Sequence, residues 1–305
     1  MLLVIYVGDD WKLERPATEH VDNSYNVWRK ELAKYGLQLA RGSISWWSAG
    51  KMKKYWLMDE NGAWQKVTKP VTPTVIEDRC NGFDPVAAAF DYKTLLKKYE
   101  IYKAVPTFFN YPEFTDLVDS KLNQAVFFQP YMPQSTLRRP GELVKKINNK
   151  PIVLKGLGGS GGKFVQIIEA ATHRVTDIQV QQEFINAREG GRLRDARLVF
   201  IGDKPSYALR RTAKRTSLYT NFHQGGTLEF VPLSSLTSLV AHAKKIASVF
   251  DVFPKKLFSL DFMIDTKSDT PYLIECNAKP GRDVFNNTPA VAKKYFAQLA
   301  KHILA

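Results

Sequence analysis

Lys155 to Lys163 reads K-G-L-G-G-S-G-G-K, and no other stretch constrains the fold as tightly. Pro151 to Leu154 runs into it as an apolar strand, and Phe164 to Ile168 runs out as another, rich in β-branched residues. So many glycines let backbone N–H groups come close to an anion, and a lysine at each end adds positive charge. Gly156, Gly158 and Gly161 also satisfy G-x-G-x-x-G, but that motif needs a helix after the loop, and here a strand follows. The Walker pattern fails too, with Leu157 in place of its first glycine and Phe164 in place of the magnesium-binding Ser or Thr. Two readings remain: a glycine-rich hairpin covering the phosphates of a nucleotide triphosphate, or a flexible hairpin tip with no ligand.

A chain of 305 residues can bury two or three compact modules. Lys plus Arg number 44 against 30 Asp plus Glu, a formal charge of +14, which favours polyanionic partners without choosing among them. Two cysteines, Cys80 and Cys276, make neither a disulfide framework nor a Cys-based zinc site, so a reducing cytoplasm is expected. Met1 to Val7 is apolar but too short to span a bilayer and lacks a basic segment before it; it reads as a buried first strand. No later segment is long and apolar enough for a membrane span, so no membrane partner is expected.

The periodicity predicts a mixed α/β (α+β) chain. Strands are expected at 2–7, 37–44, 74–76, 180–185, 196–201, 207–211, 258–264 and 271–276. Tyr55 to Met58 and Trp64 to Val67 flank Asn61-Gly62, a hairpin signal. Helices are expected over 23–35, 85–99 with Asp84 as N-cap, 114–128, 141–148, 234–250 and 290–304.

Three features follow the glycine loop. Asp195-Ala196-Arg197 opens a strand. Arg210-Arg211 closes another, before Asn221-Phe222-His223-Gln224-Gly225-Gly226. Asp261 then lies on one strand, with Glu275 and Asn277 on the next. These three are oxygen ligands, the donors hard cations such as magnesium prefer, often as one or two carboxylates plus substrate phosphates. Glu275 and Asn277 are two apart and share a strand face. As polar site residues rather than core, all three should be replaceable without loss of the fold.

Taken together, residues 113 to 290 resemble the ATP-grasp superfamily, closest to RimK-type glutamate ligases and glutathione-synthetase-like enzymes. The likeness implies an N-terminal α/β module (1–112), a central lid module (113–185) and a C-terminal module with the metal ligands (186–305). It assigns Lys121, Lys155, the loop Gly158, Gly159, Ser160, Gly161 and Gly162, and the adenine-edge segment Gln182, Glu183, Phe184 and Ile185 to ATP. Asp261, Glu275 and Asn277 match the magnesium ligands, two ions in this family, with Mn2+ admitted as a substitute. Asn277-Ala278-Lys279-Pro280-Gly281 resembles the N-x-x-P-G ending. Arg197, Arg210 and Arg211 are the catalytic candidates, stabilising charge on phosphate and oxyanion. Arg79, Asn221, His223 and Lys279 are the substrate candidates. Two departures stand out: Tyr219 where RimK-type enzymes carry an arginine, and Lys279 where they carry a small residue.

The implied reaction is an ATP-dependent carboxylate–amine ligation through an acyl phosphate. The partners would be an amino-acid, peptide or protein carboxylate and an amine acceptor, and an oligomer is left open. The charge and five of the tryptophans (Trp28, Trp46, Trp47, Trp56 and Trp64) allow nucleic-acid binding, but the aromatics sit on core-like patterns, so this class is not favoured. A non-catalytic ATP-binding protein of the same fold is the other alternative. A protein kinase is excluded, because Lys155 precedes the loop and neither H-R-D nor D-F-G is present.

Overall fold

The computed structural model describes residues 1–7, 19–80, 83–84, 89–146, 149–158, 164–170, 172–215, 217–220, 225–285 and 288–305; of 19–23, 83–84, 89–90 and 283 it describes the backbone alone. Three larger sheets, of six, four and six strands, follow one another along the chain, with three two-stranded pairs besides among the described residues.

The N-terminal sheet has six strands in the order Thr107–Phe109, Val75–Asp78, Leu2–Tyr6, Leu39–Ser43, Tyr55–Met58, Trp64–Val67. The first four are mutually parallel and the last two antiparallel. Leu2 to Ile5 are all 0% exposed, because both faces of this strand are covered. One face packs with Trp28, Leu39 and the C-terminal helix Pro289–Leu304; the other packs with Ile76, Ile101 and Phe108. A continuous apolar run is what such a strand requires. The carboxyl ends of the parallel strands, Tyr6, Ser43, Asp78 and Phe109, therefore open on one side.

The middle sheet is antiparallel: Ser135–Arg138, Gln179–Glu183, Ile152–Gly156, Val165–Ile168. The two strands around the glycine loop pair as the sequence predicts. A Cβ on Gly156 would stand 3.0 Å from Phe164 Cβ, so glycine lets the mouth of the hairpin close without displacing Phe164. The C-terminal sheet runs Thr227–Val231, Lys204–Thr212, Arg192–Ile201, Leu257–Ile264, Pro271–Asn277, with Arg188–Glu189 paired to its longest strand. One of its faces packs on the C-terminal helix and the N-terminal sheet. The other packs on Phe114, Phe128 and the helix Thr237–Ala247.

Three expected helices are corrected. The helix expected over 85–99 runs Tyr92–Ala104, capped by Asp91, whose side chain accepts from Thr94 N; Ala89–Phe90 instead pairs with Phe83–Asp84. Residues 85–88 of the expected helix lie outside the described residues. The helix expected over 141–148 is a strand, Leu143–Lys145, paired with Thr172–Arg174. Its Val144 is buried between two exposed neighbours, so a pairing partner overrides local propensity. The helix expected over 114–128 is two, Pro112–Asp119 and Lys121–Phe127, broken at Ser120, whose hydroxyl caps the second. That break serves the site: Lys121 N donates to Leu157 O at 2.7 Å, fixing the second helix to the start of the glycine loop.

Asn110 joins the N-terminal sheet to the C-terminal one. It sits in left-handed backbone (φ 61°), donates through Nδ2 to Ala278 O at 2.6 Å and accepts from Leu257 N at 2.6 Å. Among the described residues, no helix is long and apolar enough to cross a membrane.

Candidate active site

A cavity of ≈ 140 Å³ lies between the middle and C-terminal sheets. Its two ends differ in chemistry. Val153, Val165, Ile167, Phe184, Ile185, Leu218, Met263 and Ile274 make an apolar slot. Lys121, Lys155, Asp195, Arg197, Arg211, Asp261, Glu275 and Asn277 make a charged end. The slot suits a flat aromatic group, and the charged end suits anionic oxygens.

Strand register brings the charged groups together. Asp195 faces Arg211, Arg197 faces Asp261, and Asp261 faces Glu275 across adjacent strands, so all five lie on one face. Arg197 grips Asp261 with two bonds of 2.7 Å. Arg211 bridges Asp195 at 2.6 Å and Asp261 at 2.7 Å. Thr220 Oγ1 donates to the other Asp195 oxygen. Burial alone would raise the Asp261 carboxyl, but the charges of Arg197 and Arg211 outweigh it and hold the group below the ordinary carboxylate range. Burial likewise opposes ionisation of Glu275, and Lys121, 2.6 Å away, reverses the effect and leaves it lowered.

A β-bulge completes this end. Asp261 pairs with Glu275 and Phe262 with Leu273, which leaves Ile274 without a facing residue. Its carbonyl accepts Lys155 Nζ at 2.8 Å, while its side chain lines the apolar slot. Bulges recur beside active sites because they re-aim side chains and free backbone groups. Burial pushes the Lys155 ammonium down to about 8, with Lys121 adding to the effect and Glu275 opposing it. The cluster holds four cations (Lys121, Lys155, Arg197, Arg211) against three carboxylates (Asp195, Asp261, Glu275), so it carries one surplus positive charge.

The oxygen donors fit a hard cation that brings its own ligands. Among the described residues no three Asp, Glu, His or Cys side chains converge. Two carboxylates and the Asn277 amide are too few to fill a magnesium shell, so phosphate or water oxygens would have to complete it. Glu275 is paired instead with the Lys121 ammonium, 2.6 Å away.

Other expected residues fall as follows. Gly158 is buried at the start of the loop, while Gly159, Ser160, Gly161, Gly162, Asn221 and His223 lie outside the described residues. Gln182, Glu183, Phe184 and Ile185 all line the cavity. Lys279 is turned from it by an ion pair with Asp119, and its backbone N donates to Asn277 Oδ1 at 2.7 Å. Arg79 donates to the carbonyls of Lys279 and Pro280, just beyond the strand that carries Glu275 and Asn277, and is not among the residues lining the cavity. Arg210 is not brought to the site: it faces Ala196 and Glu229, and strand alternation sends it to the face opposite Arg211. The arginine pair cannot act together for that reason. Thr220 and Tyr219 were not foreseen as site residues. Tyr219 stands where an arginine was expected; its hydroxyl accepts from Ile167 N at 3.2 Å and so ties the middle sheet to the cavity wall.

A RimK-like ATP-grasp domain model matches residues 132–300, more than half of the chain. The chain belongs to the RimK-like ATP-grasp family. A probable alpha-L-glutamate ligase of Cellvibrio japonicus is 28% identical over 151 residues, 46% of this chain and 46% of that protein. The chain thus matches about half the length of such curated relatives. Solved structures share the ATP-grasp fold over nearly the whole chain. D-cycloserine synthetase DcsG aligns with a TM-score of 0.62 at 11% identity, over 99% of this chain and 100% of that one. The ATP-grasp ligase PsnB, solved with a minimal precursor, aligns with a TM-score of 0.56 at 13% identity, over 98% of each chain. The expected fold class and family are therefore borne out.

Proposed function

We propose that the protein is an ATP-dependent carboxylate–amine ligase that activates a carboxylate as an acyl phosphate and joins it to an amine. The observation that carries this is the two-ended cavity, an apolar slot leading to a cationic cluster with two facing carboxylates. The adenine would occupy the slot against Gln182 to Ile185, and the phosphates would meet Lys121, Lys155 and the loop from Gly158. Asp261, Glu275 and Asn277 would hold magnesium, two ions in the fuller version, and Mn2+ offers the same coordination chemistry. Bound magnesium would neutralise phosphate charge.

A carboxylate resists attack because of its charge and resonance. Once it is phosphorylated, an amine attacks the carbonyl carbon, the C–O bond to phosphate breaks, and the amine's surplus proton leaves to solvent. Arg197 and Arg211 are already fixed by Asp195 and Asp261, so their charge is preorganised for the oxyanion. Amino-acid or peptide substrates are the natural class. The full test is ATP turnover with a panel of amino acids and acidic peptides, with products read by mass spectrometry. ADP formed together with a condensed product supports the proposal, and no condensation with any member contradicts it.

Two further outcomes follow. Arg211→Lys keeps the charge but loses the planar fork, so it should lower kcat at least about tenfold and leave ATP affinity within about twofold. Arg210→Ala, on the far face, should change neither; steady-state kinetics and calorimetry read both. The second outcome concerns pH. Lys155 is depressed to about 8, so the free protein loses this charge as pH rises past that value, while bound phosphate favours keeping it. ATP affinity should fall about tenfold between pH 7 and 9, with proton uptake on binding above pH 8. Calorimetry in buffers of different ionisation enthalpy measures both, and a flat affinity would remove Lys155 from the phosphate site.

A further inference from the structure

The strand that leaves the glycine loop, Val165–Ile168, is the last in the middle sheet and is paired on one side only. Gly156 N donates to Phe164 O at 2.8 Å, so the Phe164 carbonyl turns inward to the partner strand. Backbone groups alternate in direction along an antiparallel strand, which turns those of Val165 and Ile167 to the open edge. Edge N–H and carbonyl groups need partners, and among the described residues no strand pairs with this edge. The Tyr219 hydroxyl takes the place of one: it accepts from Ile167 N at 3.2 Å and donates to Val165 O at 3.5 Å. Both strand residues also wall the apolar slot.

Tyr219 is held in turn by its own segment. Ser217 Oγ accepts from Tyr219 N at 3.0 Å, and Ser217 N donates to Lys214 O at 3.0 Å. Leu218, just before Tyr219, lines the slot. Thr220, just after it, is 7% exposed and donates to Asp195. Asp195 accepts Arg211 at 2.6 Å, and Arg211 reaches on to Asp261 at 2.7 Å. Residues 217–220 are therefore a strap, with one anchor on the hairpin strand and the other on the ion cluster. The edge asks for a group that both accepts and donates, which a phenol does. The arginine expected at this position has donors only and could not receive the Ile167 N–H.

We propose that Tyr219 is a positioning residue: through the strap it sets the outgoing strand of the glycine hairpin against the ion cluster, and so fixes the hairpin over bound nucleotide. This deepens the ligase reading above and rests on it. The position gives up the charge an arginine would bring to the phosphates and holds the hairpin instead. Tyr219 acts through the backbone of Val165 and Ile167, and Thr220 through Asp195.

The strap is tested first without nucleotide, by hydrogen exchange at the Ile167 amide followed by NMR. Exchange should quicken at least about tenfold in Tyr219→Phe, which keeps the ring, and also in Thr220→Val, which keeps the shape but frees the far anchor. Thr220→Ser retains the hydroxyl and should leave Ile167 as protected as in the wild type. Calorimetry with magnesium and a non-hydrolysable ATP analogue then reads the consequence. Tyr219→Phe and Thr220→Val should each weaken the analogue about fivefold, the scale of one or two hydrogen bonds. The double variant should bind no more weakly than the weaker single one, because either cut releases the same strap. Unchanged Ile167 exchange or full analogue affinity in Tyr219→Phe, or losses that multiply in the double variant, would overturn the proposal and leave the ligase reading standing. A wild type that binds no analogue, although Ile167 responds as expected, would contradict the ligase reading and the positioning role with it.

Discussion

Asp261→Ala should abolish ligation and also lower stability by about 3–5 kcal/mol, the scale on which one partner of a buried ion pair is removed. Asp261 is 2% exposed and accepts three hydrogen bonds from Arg197 and Arg211. Without it, Arg197 loses its bidentate partner inside the cluster, and Arg211 keeps Asp195 alone. From the sequence, Asp261 is a polar site residue whose loss should spare the fold; the two buried guanidiniums overturn that expectation. Its carboxyl is depressed in the folded state, so its contribution is full above the ordinary carboxylate range and is lost only as pH falls below it. Urea unfolding of the wild type and the variant measures the loss, and an unchanged midpoint would mean that the ion pairs contribute nothing.

Glu275→Ala should separate chemistry from stability. Its side chain is 28% exposed and holds one cation, Lys121, where Asp261 accepts three hydrogen bonds from two guanidiniums, so the fold should survive. Turnover should nevertheless fall at least about 10²-fold, the effect of losing a preorganised electrostatic group. Here kcat/KM for ATP-dependent ligation is the readout, checked against an unchanged melting temperature. Full activity would detach Glu275 from the metal and leave it a structural partner of Lys121.

Much of this arrangement could be read from the chain because the signals are local. The glycine loop between two β-branched runs announces its own hairpin, and the spacing of Glu275 and Asn277 announces a shared face. What stayed hidden is set by register and tertiary contact. Arg210 and Arg211 look equivalent in sequence, yet alternation separates them across the sheet. The bulge at Ile274 leaves no mark in the sequence, although it supplies the carbonyl that receives Lys155. Leu143 to Lys145 has the composition of a helix and becomes a strand because Thr172–Arg174 pairs with it. Arg282 follows the N-x-x-P-G ending as an ordinary loop residue, and only the fold brings it to Glu77, 205 positions away.

The most direct measurement is calorimetric titration of the wild-type protein with a non-hydrolysable ATP analogue, with and without magnesium, repeated on Glu275→Ala. The account predicts magnesium-dependent binding at or below millimolar nucleotide in the wild type, and loss of the magnesium dependence in the variant. No binding of the analogue at millimolar concentration in the presence of magnesium would contradict it.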